Sequence, residues 1–157
     1  MKKINWKLLI ICIAIPLAVG GLSALLTKDN MIMFQYIRKP ALSPPAWLFP
    51  VVWTILYTLM GIASYLIVVS GAAPKEIRGA LIFYALQLFF NFLWSIVFFN
   101  LEAYLFAFIW LILLWALILI TTVRFFRIDR RAGWLMVPYL LWVAFAGYLN
   151  YAIYKLN

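Results

Sequence analysis

Five long runs of apolar residues, separated by short polar segments, divide this chain of 157 residues. Each run is continuous and close to the length of about 20 residues that an α-helix needs to cross a bilayer. Strands of a membrane β-barrel would instead alternate apolar and polar residues over about 10 positions. The pattern therefore predicts an all-α membrane protein, a five-helix transmembrane bundle formed as one domain over residues 1–157. The predicted helices cover residues 8–26, 47–70, 80–99, 103–123 and 134–154.

Prolines and a possible cap refine the helix ends. Pro16 interrupts the first run and is expected to kink that helix, and Pro138 falls in the first turn of the predicted fifth helix. Ser43, followed by Pro44 and Pro45, is typical of an N-cap whose prolines open a helix. We therefore expect this segment to begin the second helix.

Composition supports a membrane protein and excludes two other classes. Hydrophobic residues make up 69% of the chain and charged residues 11%, against roughly 45–50% and 25% in soluble domains. A soluble domain could not bury so much apolar surface, and a disordered chain would lack it. The formal charge of +9 lies in short basic runs between the apolar segments, which favours lipid headgroup contact over nucleic acid.

The basic residues also predict an orientation. Nine lie on the side of the N-terminus and four on the other side. The positive-inside rule then places the N-terminus in the cytoplasm, and the first loop, residues 27–46, and the C-terminus outside. The nine are Lys2, Lys3, Lys7, Lys75, Arg78, Arg124, Arg127, Arg130 and Arg131, and the four are Lys28, Arg38, Lys39 and Lys155.

Several chemistries lack the residues that they need. The chain has no histidine, one cysteine and four carboxylates, and those carboxylates fall in loops or at predicted helix ends. A Ser-His-Asp hydrolase is excluded, and no metal site is expected. Ion-coupled transport is disfavoured, because no Asp, Glu, Lys or Arg lies deep in a predicted span.

Polar and aromatic residues share faces of three predicted helices. Gln87, Asn91 and Ser95 follow at intervals of four and share one face. Such amides could join helices or contact a ligand. Two further faces combine aromatic, small and polar residues: Trp53, Tyr57 and Gly61, and Trp142, Ala146, Leu149 and Asn150. Together the three faces could line a cavity for a flat apolar ligand. The alternative is a belt of aromatic residues at the membrane interface, although Trp53, Trp94 and Trp142 lie deeper than a belt requires.

Three motifs resemble the TspO/MBR family of tryptophan-rich sensory proteins and mitochondrial translocator proteins. The first, KPALSPPAWLFPVVWTILYTLMG, runs from Lys39 to Gly61. The second is NFLW from Asn91 to Trp94, and the third, PYLLWVAFAGYLNY, begins at Pro138. The order, the length and the five spans also resemble that family.

The resemblance implies a bacterial cell-membrane protein that binds protoporphyrin IX, isoquinoline carboxamides and benzodiazepines, and that promotes light-dependent oxidative breakdown of the porphyrin. It implies a homodimer in contact with membrane lipids, without a prosthetic group. A non-enzymatic sensor or carrier of tetrapyrroles or lipids is the alternative. Trp53 and Trp142 would take part in photo-oxidation, and Leu149, Tyr151 and Lys155 fit a sterol-recognition pattern. The ligand-binding residues carried over are Trp47, Phe49, Trp53, Tyr57, Phe90, Asn91, Trp94, Trp142, Ala146 and Leu149.

Overall fold

The computed structural model describes residues 3–157 and contains five long α-helices in that part of the chain. Each helix is long and apolar enough to cross a membrane. The prediction of an all-α membrane protein with five transmembrane helices is therefore confirmed. The helices are α1 (Trp6–Met31), α2 (Leu48–Val68), α3 (Pro74–Ser95), α4 (Tyr104–Ile128) and α5 (Arg130–Leu156).

Polar residues extend several helices beyond the apolar runs. The Asn5 side chain accepts a hydrogen bond of 3.1 Å from the Leu8 amide and caps α1. The Asp129 carboxylate accepts a hydrogen bond of 2.9 Å from the Arg131 amide and caps α5. Because α5 begins at Arg130, Pro138 lies inside the helix, and its predicted place in the first turn is wrong.

The predicted range 47–70 agrees with the start of α2 to within one residue, but the expected N-cap at Ser43 is wrong. Ser43 lies in a turn of the first loop, where its amide donates to the Pro40 carbonyl at 3.0 Å, and α2 begins only at Leu48 with Trp47 at the N-cap position. A proline disfavours helical dihedrals in the residue before it. Pro44 and Pro45 therefore keep Ser43 out of the helix.

Two irregular turns shape the end of the bundle next to the first loop. A 3₁₀ turn, Ile32–Gln35, follows α1, and a π-helical turn, Ile96–Asn100, follows α3. The Asn30 side chain donates to Asn100 Oδ1 at 2.7 Å, and Asn100 donates to the Leu26 carbonyl at 3.1 Å. These hydrogen bonds join the π-helical turn to α1.

The helices form a ring in the order α1, α2, α5, α4, α3, which closes through contacts between α1 and α3. The close approach of α1 and α2 requires Gly61, where an added Cβ would lie 2.6 Å from Ile13 Cα. The ring makes α2 and α5 neighbours although they are far apart in the sequence. This pair of helices carries the candidate site.

Candidate functional site

Facing sides of α2 and α5 carry five aromatic residues, which we call the aromatic cluster: Phe49, Trp53, Tyr57, Tyr139 and Trp142. Trp53 stacks on Tyr57, with ring centroids 5.4 Å apart, and meets Tyr139 edge to face at 6.2 Å. Phe49 meets Trp142 edge to face at 5.9 Å. The order of these contacts shows that α2 and α5 run antiparallel, so that residues on successive turns form one surface.

A chain of hydrogen bonds crosses the bundle behind the cluster. The Tyr57 hydroxyl donates to Asn91 Oδ1 at 3.1 Å, and Asn91 Nδ2 donates to the Tyr139 hydroxyl at 2.7 Å. The Tyr139 hydroxyl donates in turn to Gln87 Oε1 at 2.6 Å. Asn91 is 2% exposed and Gln87 fully buried. Since an unpaired polar group is costly in a bilayer, these hydrogen bonds stabilise the contact of α2, α3 and α5.

The indole nitrogen of Trp142 has no such partner. Trp142 Nε1 is buried and makes no hydrogen bond within the described residues. Three other indoles of the bundle are hydrogen-bonded: Trp94 donates to Asn150 Oδ1 at 3.0 Å, Trp110 to the Phe90 carbonyl at 2.9 Å, and Trp115 to the Leu140 carbonyl at 3.0 Å. A buried donor without an acceptor costs about 1–3 kcal/mol. An acceptor atom on a ligand would remove that cost at Trp142.

The first loop packs against the end of the aromatic cluster at Phe49. The Phe34 ring, in the 3₁₀ turn, meets Phe49 edge to face at 5.9 Å. Lys39 Nζ donates to the Phe34 carbonyl at 2.9 Å and lies 4.6 Å from the centroid of its ring. The Asn157 side chain accepts from the Arg38 amide at 3.1 Å and donates to the Arg38 carbonyl at 2.8 Å. The loop is thereby tied to the end of α5, with a cation next to the aromatic cluster.

The structure places three of the predicted ligand-binding residues outside the contacts of the cluster. Phe90 stacks on Trp110 of α4, with centroids 4.3 Å apart. Trp94 stacks on Phe98 of the π-helical turn at 5.1 Å. Trp47 is 67% exposed at the start of α2. The cluster therefore holds only part of the predicted set.

The remaining predicted residues lie further along α5. Ala146 is half-buried one turn beyond Trp142, and Leu149 is buried. Tyr151 and Lys155 are exposed, and Lys155 Nζ lies 5.7 Å from the centroid of the Tyr151 ring. The sterol-recognition pattern is therefore divided between the interior and the surface of the bundle.

Two residues of the site were not singled out from the sequence: Phe34 and Tyr139. Gln87 was placed by helical periodicity on the polar face of Asn91, as the structure has it, although it was not among the ligand-binding residues carried over. Tyr139 precedes Trp142 by three positions, so the same periodicity could have found it. Phe34 lies in a loop and has no periodic neighbour that would indicate its contact with Phe49. Tertiary structure alone shows that contact.

Comparison with known proteins identifies the family of this chain. Residues 12–156 match the TspO/MBR family. The chain belongs to the TspO/MBR family. The tryptophan-rich protein TspO of Chlorobaculum tepidum is 39% identical over 150 residues, which cover 95% of each chain. The tryptophan-rich sensory protein of Cereibacter sphaeroides is 37% identical over 156 residues, or 99% of this chain and 94% of that one.

A translocator protein of Homo sapiens is more distant, with 34% identity over 131 residues, 82% of this chain and 77% of its own. Membership of the TspO/MBR family and the five apolar helices together establish an integral membrane protein. Both features were predicted from the sequence.

Proposed function

We propose that this protein binds protoporphyrin IX at the aromatic cluster and promotes its light-dependent oxidative degradation. The observation that carries the proposal is the buried, unpaired Trp142 Nε1, which lies among aromatic rings. A porphyrin offers a flat π face for the rings and acceptor atoms for the indole N–H. Small-molecule sites typically combine apolar walls with a few oriented polar groups, and the aromatic cluster with Trp142 Nε1 offers both.

Cations at the outer end of the cluster fit the porphyrin carboxylates. Lys39 lies over Phe34, which contacts Phe49, and Arg38 is next to it in the sequence. Charge-assisted hydrogen bonds from these side chains would orient the two propionates toward the loop. Contact with lipid headgroups is the competing role of the same two residues. A metal-free porphyrin needs no axial ligand, so the lack of histidine does not oppose this proposal.

In this proposal Trp53 and Trp142 face the bound pigment. The illuminated porphyrin and dissolved oxygen supply the oxidising power, and the two indoles either donate electrons or confine the reactive species beside the macrocycle. Trp142→Phe separates these roles, because phenylalanine keeps an aromatic wall but is much harder to oxidise. Unchanged turnover and products under light would remove the role of Trp142 as electron donor.

The resemblance implies further ligands for the same site, together with a homodimer and an orientation in the membrane. Isoquinoline carboxamides and benzodiazepines should compete with the porphyrin, because each combines flat rings with a carbonyl acceptor for Trp142 Nε1. We also propose a homodimer in a bacterial cell membrane, with the N-terminus in the cytoplasm. These assignments rest on the family and on the distribution of basic residues.

A non-enzymatic sensor or carrier of tetrapyrroles or lipids is the second candidate. A groove of about 360 Å³ between α4 and α5 favours it. The groove is open to the outside of the bundle and has apolar walls that include Leu111, Trp115 and Gly147. Such a groove is suited to a lipid chain.

Two steps test the proposal and separate it from the alternative. Protoporphyrin IX is first titrated into the purified protein in the dark, with empty micelles as the control. The complex is then illuminated in the presence of oxygen. Saturable binding followed by pigment loss faster than in micelles supports degradation, whereas saturable binding with a stable pigment supports a sensor or carrier. Without saturable binding, the proposed function is wrong.

A further inference from the structure

Asn91 has both ends of its side-chain amide engaged by tyrosines. Oδ1 accepts from the Tyr57 hydroxyl at 3.1 Å, and Nδ2 donates to the Tyr139 hydroxyl at 2.7 Å. The residue is 2% exposed. The resemblance implies that Asn91 is a ligand-binding residue, but both ends of its amide are already hydrogen-bonded within the protein, which indicates a different role.

The two tyrosines that Asn91 engages are the rings on which Trp53 rests. Trp53 stacks on Tyr57 at an interplanar angle of 29° and meets Tyr139 at 71°. Tyr57 comes from the helix of Trp53, and Tyr139 comes from α5 across the interface. One amide on α3 therefore fixes both surfaces that orient the indole.

The direction of the hydrogen bonds requires an amide at this position. The Tyr139 hydroxyl donates its only proton to Gln87 Oε1 at 2.6 Å, so it needs a donor on its other side. The Tyr57 hydroxyl donates and therefore needs an acceptor. The Asn91 amide carries an acceptor and a donor on the same carbon, Cγ, and therefore satisfies both tyrosines at once.

We propose that Asn91 is a positioning residue: it holds the Tyr57 and Tyr139 hydroxyls and thereby fixes the orientation in which Trp53 meets the ligand. The proposal rests on the proposed porphyrin site and deepens it. Asn91 acts through the two tyrosine rings and makes no contact of its own with the pigment.

A double-mutant comparison distinguishes this role from direct ligand contact. Asn91→Leu removes both hydrogen bonds while it keeps the branched shape of the side chain, and we expect porphyrin affinity to fall about fivefold to tenfold. The same substitution is then made in a Tyr57→Phe/Tyr139→Phe background, which retains both rings but has no hydroxyl to hold. There, Asn91→Leu should have almost no further effect. A full loss in both backgrounds would mean that Asn91 contacts the ligand directly and would overturn the proposal.

A measurement without ligand tests the positioning itself. The near-ultraviolet circular dichroism of Trp53 is isolated as the difference between the wild-type protein and Trp53→Phe. This signal should shrink in Asn91→Leu, because the indole loses its fixed orientation against the two rings. An unchanged signal in a folded Asn91→Leu protein would overturn the proposal.

Two further outcomes are covered: a variant that does not fold and a wild-type protein that does not bind the porphyrin. If Asn91→Leu does not fold, Tyr139→Phe replaces it in the ligand-free measurement, since that variant breaks the hydrogen bonds to Asn91 and Gln87 while it retains the ring. If the wild-type protein binds no protoporphyrin IX, the proposed function is wrong. The ligand-free signal then decides by itself whether Asn91 holds Trp53.

Discussion

At the scale of single residues, two adjacent glycines of α1 differ in the space around them. A Cβ at Gly20 would clash with the Tyr57 ring, whereas a Cβ at Gly21 would meet nothing within 4 Å. Gly20 therefore gives the Tyr57 ring the room that it needs to stack on Trp53. Gly21 provides a matched control on the same helix.

We predict that Gly20→Ala displaces Tyr57 and lowers the free energy of unfolding by about 1–3 kcal/mol, the usual cost of overpacking. Gly21→Ala should leave it unchanged or raise it by up to about 1 kcal/mol, because alanine favours a helix more than glycine does. Thermal unfolding in detergent measures both. Equal effects of the two substitutions would show that Tyr57 does not lie where the structure places it.

The predicted site residues show how far the sequence leads at this scale. Trp53, Tyr57 and Asn91 were predicted to share one site from helical spacing, and the structure brings them into direct contact or hydrogen bonding. Phe90 and Trp94 occupy the same helix as Asn91, but their rings pack on Trp110 and Phe98 instead. Sequence spacing shows which face of a helix a residue occupies, but not which other helix packs against that face.

Asp129 joins α4 to α5 at the scale of elements. Its carboxylate caps α5 and makes an ion pair of 2.9 Å with Arg131. Hydrogen bonding from the Arg131 side chain lowers the pKa of the Asp129 carboxyl from its ordinary value. The ionised carboxylate therefore stabilises the folded state at any pH above the ordinary pKa of an aspartate. This stabilisation is lost as the pH falls through the lowered pKa of Asp129.

We predict that Asp129→Ala destabilises the protein by about 1 kcal/mol, the usual cost of a lost N-cap. Asp129→Asn should retain most of the stability near neutral pH, because asparagine also caps helices. Its stability should not fall as the pH is lowered through the pKa of Asp129, because an amide does not titrate. Thermal unfolding of both variants from pH 7 down to pH 3 gives the comparison. Equal stability of Asp129→Ala and the wild-type protein would contradict the capping role of Asp129.

The first loop depends on a contact with the end of α5. Asn157 pairs with both backbone groups of Arg38, so Asn157→Ala should release this part of the loop. We predict faster hydrogen exchange at the Arg38 amide, by about tenfold. Asn157→Asp keeps the acceptor oxygen and should show a smaller change. If Asn157→Ala exchanges at the wild-type rate, the contact does not hold the loop.

Helix ends illustrate the limit of the sequence at the scale of elements. The apolar runs predicted that five helices exist, because a bilayer imposes both their length and their polarity. The runs could not predict that α4 continues to Ile128 or that α5 begins at Arg130, since both of these turns carry arginines and α5 is capped by the side chain of Asp129. Hydropathy therefore predicts which residues lie within the membrane, whereas backbone hydrogen bonds and caps determine where each helix begins and ends.

Orientation belongs to the scale of the whole molecule. In a Cys12→Ser background we predict that a cysteine in place of Leu42 reacts with a membrane-impermeant maleimide added to intact cells. Leu42 is 70% exposed in the first loop. A cysteine in place of Ala73, in the loop between α2 and α3, should react only after the membrane is opened. The reverse pattern would contradict the positive-inside assignment.

The order of helices around the bundle could not be predicted from the sequence. Each helix has more than one face that could pack, and the contact of α2 with α5 joins residues almost 90 positions apart, such as Trp53 and Tyr139. Family resemblance predicted a pocket, but not that the indole N–H of Trp142 would be buried without a hydrogen-bond acceptor among the described residues. That feature requires the packed bundle.

The most direct test of a porphyrin site at the aromatic cluster is a dark titration of protoporphyrin IX, followed by the shift of its Soret band. Wild-type protein, Trp142→Phe and the control Trp6→Phe are compared, since Trp6 is exposed at the other end of the bundle. We predict saturable binding by the wild type and Trp6→Phe, and about threefold to tenfold weaker binding by Trp142→Phe. Equal affinity of all three proteins would contradict a porphyrin site at Trp142.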